Sequence, residues 1–246
     1  MLKELIYENY KKIGIIIYLT QMLISILKKI LSLKPILLFL LKLDNFIYKL
    51  ITISSIENNG GVHPKHKIIN YEDWFIKNIN EDDHILDIGS NLGKMAINMS
   101  KKCKRVSGIE INQASVKIAK EKANEKTNFF ASDATLFNFE SIESVDCITM
   151  SNVLEHIENR ESFLRLLIKN VNWVEGPKFL IRVPLIDREW ISPFKKNLNI
   201  EWRLDRTHFI EYTEASFKEE LYKCGLQVIF MEIRFGELYA KCSLKN

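Results

Sequence analysis

Three carboxylates and one glycine-bearing turn carry most of the chemistry this chain could do. The turn lies in His84-Ile-Leu-Asp-Ile-Gly-Ser-Asn-Leu-Gly-Lys94, an apolar stretch that runs through a tight connection into helical spacing. Such a turn sets backbone N–H groups and a helix N-terminus against a ligand at the end of a strand. Gly89 and Gly93 permit close backbone approach, and Asn91 is of the non-glycine type that best tolerates a left-handed conformation. Spacing then separates the ligand classes. A P-loop needs Gly-x-x-x-x-Gly-Lys followed by Ser or Thr, but Gly89 and Gly93 are one residue too close and Met95 follows Lys94. A dinucleotide fingerprint needs Gly-x-Gly-x-x-Gly. Neither position 91 nor position 94 is glycine, which disfavours a dehydrogenase. The remaining form is acid-x-Gly-x-Gly-x-Gly, met by Asp87-Ile-Gly89-Ser-Asn91-Leu-Gly93 at all but one position.

Two further acids follow in order. Glu110 ends the apolar run Val106-Ser-Gly-Ile-Glu110, and Asp133 lies in Ala131-Ser-Asp-Ala-Thr135. With Met150-Ser-Asn-Val-Leu-Glu-His-Ile157 after the next strand, the chain resembles the class I S-adenosylmethionine-dependent methyltransferases of the type 11/23 kind, over about residues 66–244. The resemblance implies S-adenosylmethionine as cofactor. The turn Gly89, Ser90, Asn91 and Gly93 would hold its amino-acid end, with Asp87 meeting the ammonium group or a bound water. Glu110, next to Ile111, would take both ribose hydroxyls, since one carboxylate accepts two donors at once. Asp133 and Ala134 would meet the adenine, and Ser151 would sit beside the cofactor. Asn91 in place of the middle glycine is the departure from the family pattern.

Methyl transfer from a sulfonium asks the protein mainly to aim a nucleophile in line and exclude water. Where the acceptor is a hydroxyl or amine, a base can take its proton; His156 and His208 are the candidates. Some relatives, the ubiquinone-pathway O-methyltransferases among them, use a Glu-x-x-Glu-His set for a metal. Asn152 stands at its first position here. Glu155 and His156 alone are too few ligands, so no metal is expected. The stretch after the fifth strand is long, and long insertions usually line a site. Arg182, Arg188, Trp190, Arg203 and Tyr212 there suit an anionic or sugar-like acceptor by paired hydrogen bonds and stacking.

The elements that must position these residues alternate. Strands are expected at His84–Ile88, Arg105–Ile111, Asn128–Ala131, Val145–Met150, Lys178–Val183, Gln227–Ile233 and Glu237–Ser243. Helices are expected at Lys94–Lys102, Gln113–Asn124, Arg160–Val171 and Thr213–Cys224. This is an α/β pattern: a doubly wound, mostly parallel seven-stranded sheet of Rossmann-like type, closed by an antiparallel edge hairpin that turns at Phe235-Gly236. The turn Asn58-Asn59-Gly60-Gly61 separates residues 1–60, a helical extension, from a catalytic domain at 61–246, which opens with a short helix near Tyr71 to Ile79.

Length and composition agree. A chain of 246 residues, 47% hydrophobic and 27% charged, is globular and has room for one large domain with an appendage. Four scattered cysteines exclude a disulfide framework and a zinc knot and point to a reducing compartment. Residues 1–57 carry eight lysines against four acids, whereas the rest balances, so no excess charge is left to hold a nucleic acid. In 36–51, Ile36, Phe39, Leu40, Leu43, Ile47 and Leu50 fall on one helical face with Lys42, Asn45, Lys49 and Thr52 opposite, and Pro35 suits the helix start. The apolar face is expected to pack on the main domain, with an anionic membrane surface as the alternative partner. Ile13 to Leu27 is too short for a span, which takes about 20 apolar residues. The expectation is a cytoplasmic methyltransferase, or one peripheral to the inner membrane face, acting on a small-molecule or saccharide acceptor, by O-methylation. Its alternatives are a protein or RNA methyltransferase and a non-catalytic cofactor-binding partner subunit.

Overall fold

A computed structural model describes residues 13–23, 25–26 and 32–245. Seven strands form one sheet in the order β3-β2-β1-β4-β5-β7-β6. They are β1 His84–Ile88, β2 Arg105–Glu110, β3 Thr127–Ala131, β4 Val145–Ser151, β5 Trp173–Pro184, β6 Leu226–Arg234 and β7 Glu237–Leu244. All neighbours are parallel except β7, which runs antiparallel to both β5 and β6. The chain moves outward from β1 through β2 to β3, then returns to lay β4 against the other side of β1. That reversal opens a crevice at the carboxyl ends of β1 and β4, where ligands bind in sheets of this kind.

Strand alternation sends successive residues to opposite faces, and the core divides accordingly. Leu86, Ile148, Met150, Phe179 and Ile181 pack on one face with Phe163, Leu164 and Leu167 of a helix at Arg160–Asn170. Ile85, Val106, Cys147, Leu180 and Tyr239 pack on the other with Trp74, Phe75, Ala96 and Met99. In chain order the helices are α1 Leu33–Asn58, α2 Lys65–Ile69, α3 Tyr71–Lys77, α4 Lys94–Ser100, α5 Gln113–Glu121, α6 Arg160–Asn170, α7 Ile191–Asn197 and α8 Glu214–Lys223. Caps explain several boundaries. Asn112 accepts from the Ser115 N–H to open α5, and Thr213 forms a capping box with Ser216 to open α8. All four cysteines are free and buried.

Two elements depart from the expected pattern. β5 starts five residues early because Trp173 pairs with Val145, packs on Phe179 and donates its indole N–H to the Ile168 carbonyl at 2.8 Å. A register shift after Val145 absorbs the Gly176-Pro177 interruption that hides this start in the sequence. The second departure is the orientation of α1. Leu41 is its buried residue. The polar edge, not the expected apolar one, meets the body: Lys195 Nζ contacts Asp44 Oδ2 at 2.6 Å and Asn45 Oδ1 at 2.7 Å, and Asn45 Nδ2 donates to the Glu201 carbonyl. Phe39, Leu40, Leu43, Ile47 and Leu50 are exposed. Residues 13–23 are also helical and exposed, and Leu27, Lys28 and Lys29 of the first apolar run lie outside the described residues. Among the described residues no helix is long and apolar enough to cross a membrane.

Candidate functional site

At the carboxyl end of β1 the chain turns over a buried acid. Asp87 is fully buried; its Oδ1 accepts a hydrogen bond from Thr149 Oγ1 at 2.6 Å, and Oδ2 has no partner. Asp87 and Thr149 are register partners on neighbouring strands, which is why they meet. Burial pushes the Asp87 carboxyl up to about 7, Glu110 adds to the rise, and the Thr149 hydroxyl opposes it. The turn beyond it is held by β2: the N–H groups of Gly89 and Ser90 both donate to the Ile109 carbonyl, at 2.8 and 3.1 Å. Gly89, Asn91 and Gly93 have φ of 73°, 49° and 74°. Gly89 is also sterically required, because a Cβ there would lie 2.4 Å from Val153 Cγ2. Ser90 Oγ is buried and has no partner.

Glu110 closes β2 and grips this turn. Its Oε2 accepts from the Asn91 N–H at 2.9 Å, and its Oε1 from the Asn112 N–H at 2.8 Å. Each oxygen has one lone-pair site left. Asp133 follows β3, and its Oδ1 accepts from both the backbone and the hydroxyl of Thr135 at 2.8 Å, leaving Oδ2 for another donor. A cleft of about 600 Å³ joins these residues. Its walls include Gly89, Glu110, Ile111, Asp133, Ala134, Val153 and His156. Val153, Phe209 and Phe163 supply apolar surface to it.

A second group of polar atoms lies at the ends of β4 and β5. Ser151 and Arg182 are register partners. Arg182 is buried, with its guanidinium 3.8 Å from the centre of the Tyr71 ring. Nη1 lies 3.3 Å from Glu237 Oε2 but is not aligned as a hydrogen bond, so both Nη1 and Nε lack an acceptor. Ser151 Oγ, Asn152 Oδ1 and His66 Nδ1 are likewise buried without partners.

The other residues expected to contact substrate are occupied within the fold. Arg188 is paired with Glu211 and donates to the Leu185 and Trp202 carbonyls. Arg203 is bound by both oxygens of Glu201 and by the His208 carbonyl. Tyr212 is a core residue with its hydroxyl given to Glu220. Trp190 is 75% exposed and lies against Phe194. None of these four lines the cleft. They are insertion residues whose polar groups hold the insertion itself together. Of the two candidate bases, His156 lines the cleft and His208 is buried behind it, the rings 4.6 Å apart and edge-on. Burial, then the neighbouring His208, lowers the His156 pKa, which keeps it a neutral acceptor of protons near neutral pH. The residue that sequence reasoning missed is Thr149, visible only through strand register; Glu155 is singled out by sequence, but no local pattern signals its complete burial.

The family whose description is methyltransferase domain matches residues 66–229. The chain belongs to this methyltransferase family. It is a class I enzyme that uses S-adenosylmethionine. No curated protein sequence matches it. Solved structures share the fold at low identity. A chain of the complex between a Haloferax volcanii methyltransferase activator and its methyltransferase superposes with a TM-score of 0.58 at 14% identity, covering 74% of this chain and 93% of that one. An S-adenosylmethionine-dependent methyltransferase from Methanosarcina mazei gives 0.56 at 18% identity, covering 75% and 98%. Magnesium protoporphyrin IX methyltransferase from Synechocystis, with bound S-adenosylhomocysteine, gives 0.54 at 15% identity, covering 73% and 83%. The residues of this methyltransferase fit the cofactor chemically: a buried carboxylate oxygen without a partner, a glycine turn that a Cβ would obstruct, and two strand-end acids with spare acceptor sites on one cleft wall.

Proposed function

We propose that this enzyme methylates a hydroxyl of an anionic small-molecule or saccharide acceptor, in the cytoplasm at the inner face of a membrane. In this reading Asp87 meets the cofactor ammonium, Glu110 the ribose hydroxyls and Asp133 the adenine amino group. When bound, the cofactor supplies an electrophilic methyl group, and the protein contributes orientation and exclusion of water. The observation that supports an anionic acceptor is the Arg182 group. A buried guanidinium with two nitrogens lacking acceptors, beside unpartnered Ser151 Oγ and Asn152 Oδ1, is costly unless a ligand completes it. It lies at the carboxyl ends of β4 and β5, outside the residues that line the cleft. His156, on the cleft wall with its pKa lowered by burial, is the candidate base for the hydroxyl proton. The balanced charge of residues 58–246 gives no support to a nucleic acid acceptor.

The test is a screen of carboxylated and phosphorylated hydroxy compounds and of acidic sugars, read by release of S-adenosylhomocysteine. Turnover by an anionic acceptor in the wild type, with KM raised at least tenfold in Arg182→Met, is expected. Turnover only with neutral acceptors, proteins or RNA overturns the reading.

A further inference from the structure

We propose that the acceptor is a hydroxycarboxylate: the buried group around Arg182 takes one carboxylate and one hydroxyl of the same small molecule, and Glu237 sets its charge for a monoanion instead of a phosphate. This rests on the reading of the Arg182 group as an acceptor site and narrows it to one substrate class.

The group draws on both edges of β5 and on two short helices. Arg182 and Ser151 are register partners on β5 and β4, and the Asn152 N–H donates to the Arg182 carbonyl at 2.8 Å. Glu237 opens β7 opposite Pro184. Lys65 and His66 come from α2 and Tyr71 from α3. Five of its polar atoms are buried without a partner: Arg182 Nε and Nη1, Ser151 Oγ, Asn152 Oδ1 and His66 Nδ1. Arg182 itself is 4% exposed. Native interiors satisfy nearly all such atoms, so this many gathered around one guanidinium point to a ligand. β4 also joins the group to the cofactor acid, since Thr149, two residues before Ser151, holds Asp87.

The free atoms are of two kinds. A guanidinium has only donors. That of Arg182 lies 3.8 Å from the centre of the Tyr71 ring, which leaves its rim of N–H groups for an acceptor. A carboxylate offers two oxygens in matching geometry. Asn152 asks for the opposite. Its Nδ2 donates to Glu237 Oε1 at 3.4 Å, which makes Oδ1 the free end of the amide. That oxygen can only accept, so it repels a carboxylate and takes a hydroxyl. Ser151 Oγ can serve either. Donor and acceptor sites side by side therefore select a molecule that carries both an acid and a hydroxyl.

Charge decides between a carboxylate and a phosphate. Arg182 and Lys65 bring two positive charges, and Glu237 takes one away: Lys65 Nζ lies 3.2 Å from its Oε1, Arg182 Nη1 3.3 Å from its Oε2, and the Tyr239 hydroxyl donates to Oε2 at 3.4 Å. His66 adds none near neutral pH, because burial and then Lys65 lower its pKa. Glu155, the next buried acid acting on this group, is pushed up to about 8 by burial and is mostly uncharged at neutral pH. Lys94 is paired with Glu72 at 2.7 Å. One positive charge remains. A single carboxylate neutralises it. A phosphate monoester carries nearly two negative charges and would leave one of them buried without a partner, which is costly.

The experiment is calorimetry on the full chain saturated with S-adenosylhomocysteine. The probes are lactate, gluconate, glucuronate and galacturonate as hydroxycarboxylates, with propionate, glucose and glucose 6-phosphate as controls. At least one hydroxycarboxylate should bind tenfold or more tighter than any control. Arg182→Met should weaken that binding at least tenfold. Asn152→Gly keeps the left-handed backbone and removes the amide; it should bring lactate down to the affinity of propionate and leave propionate unchanged. Glu237→Gln adds one net positive charge, and glucose 6-phosphate should gain at least tenfold relative to gluconate. A merely structural role for Glu237 would weaken both alike, so this variant keeps the test decisive if Arg182→Met fails to fold. No binding by any hydroxycarboxylate overturns the proposal, as does an unshifted preference in Glu237→Gln. Loss of S-adenosylhomocysteine binding in Arg182→Met also overturns it, by assigning the guanidinium to the cofactor's own carboxylate. A wild type that prefers the phosphate ester overturns this proposal and leaves the anionic acceptor standing, whereas a preference for glucose removes both.

Discussion

The Asn91 N–H donates to Glu110 Oε2 at 2.9 Å, so the acid at the end of β2 holds the glycine turn at the end of β1. One carboxylate thus shapes the turn and faces the cleft. Glu110→Ala should lose most of the melting-temperature rise caused by S-adenosylhomocysteine. Glu110→Gln should behave similarly, because its single amide oxygen cannot accept from both Asn91 and Asn112. Each lost charge-assisted hydrogen bond is worth about 1.5–3 kcal/mol, or at least tenfold in affinity. Calorimetry with S-adenosylhomocysteine checks this, and an unchanged Kd in Glu110→Ala would remove the residue from the cofactor site.

Gly89 and Gly176 separate steric need from backbone need. Both have positive φ, but a Cβ at Gly176 meets nothing within 4 Å, whereas one at Gly89 meets Val153 at 2.4 Å. Gly176→Ala should cost about 1–2 kcal/mol, from left-handed strain alone. Gly89→Ala should add roughly 1–3 kcal/mol of overpacking and displace Val153 from the cleft wall. Urea unfolding of the two variants measures the difference.

Asp87 should link cofactor binding to pH. Its carboxyl is pushed up to about 7 in the free protein, while its ordinary value is 3.8. Between these values the folded state binds more protons than the unfolded state, so the free protein should lose stability as pH rises from about 4 to about 7. A cofactor ammonium beside Asp87 favours its charged form, so binding near pH 6 should release a proton and binding should tighten as pH rises toward 8. Calorimetry in buffers of different ionisation enthalpy counts that proton. Asp87→Asn should bind more weakly, release none, and show a flatter stability profile over the same range.

The alternation of strands and helices and the three acids at or just past strand ends were legible because they rest on local signals: apolar runs of the right length and acids at their ends. β1 occurs as the alternation predicts, His84–Ile88. The start of β5 was not legible, since Gly176 and Pro177 break the run that Trp173 in fact begins. Within the insertion, residue type misled. Arginine and tyrosine suit a ligand, yet Arg188, Arg203 and Tyr212 find carboxylates inside the fold. Long-range pairings decide such cases.

The face of α1 makes the last prediction. A helix normally turns its apolar stripe to the core, but here Asp44 and Asn45 meet Lys195 and Glu201, and Phe39, Leu43, Ile47 and Leu50 remain outside. Large contiguous apolar surface of this kind marks an interaction site. The basic balance of residues 1–57 makes an anionic lipid surface its fitting partner. The full chain should co-sediment with vesicles containing phosphatidylserine, less with neutral phosphatidylcholine, and less again as salt rises. Burying one large apolar side chain contributes about 1.5–3 kcal/mol. The triple variant Phe39→Gln, Leu43→Gln, Ile47→Gln should therefore lose well over tenfold in vesicle affinity while keeping its response to S-adenosylhomocysteine. Sedimentation as a stable dimer without lipid, abolished by the same three changes, would assign this face to a second copy of the chain instead.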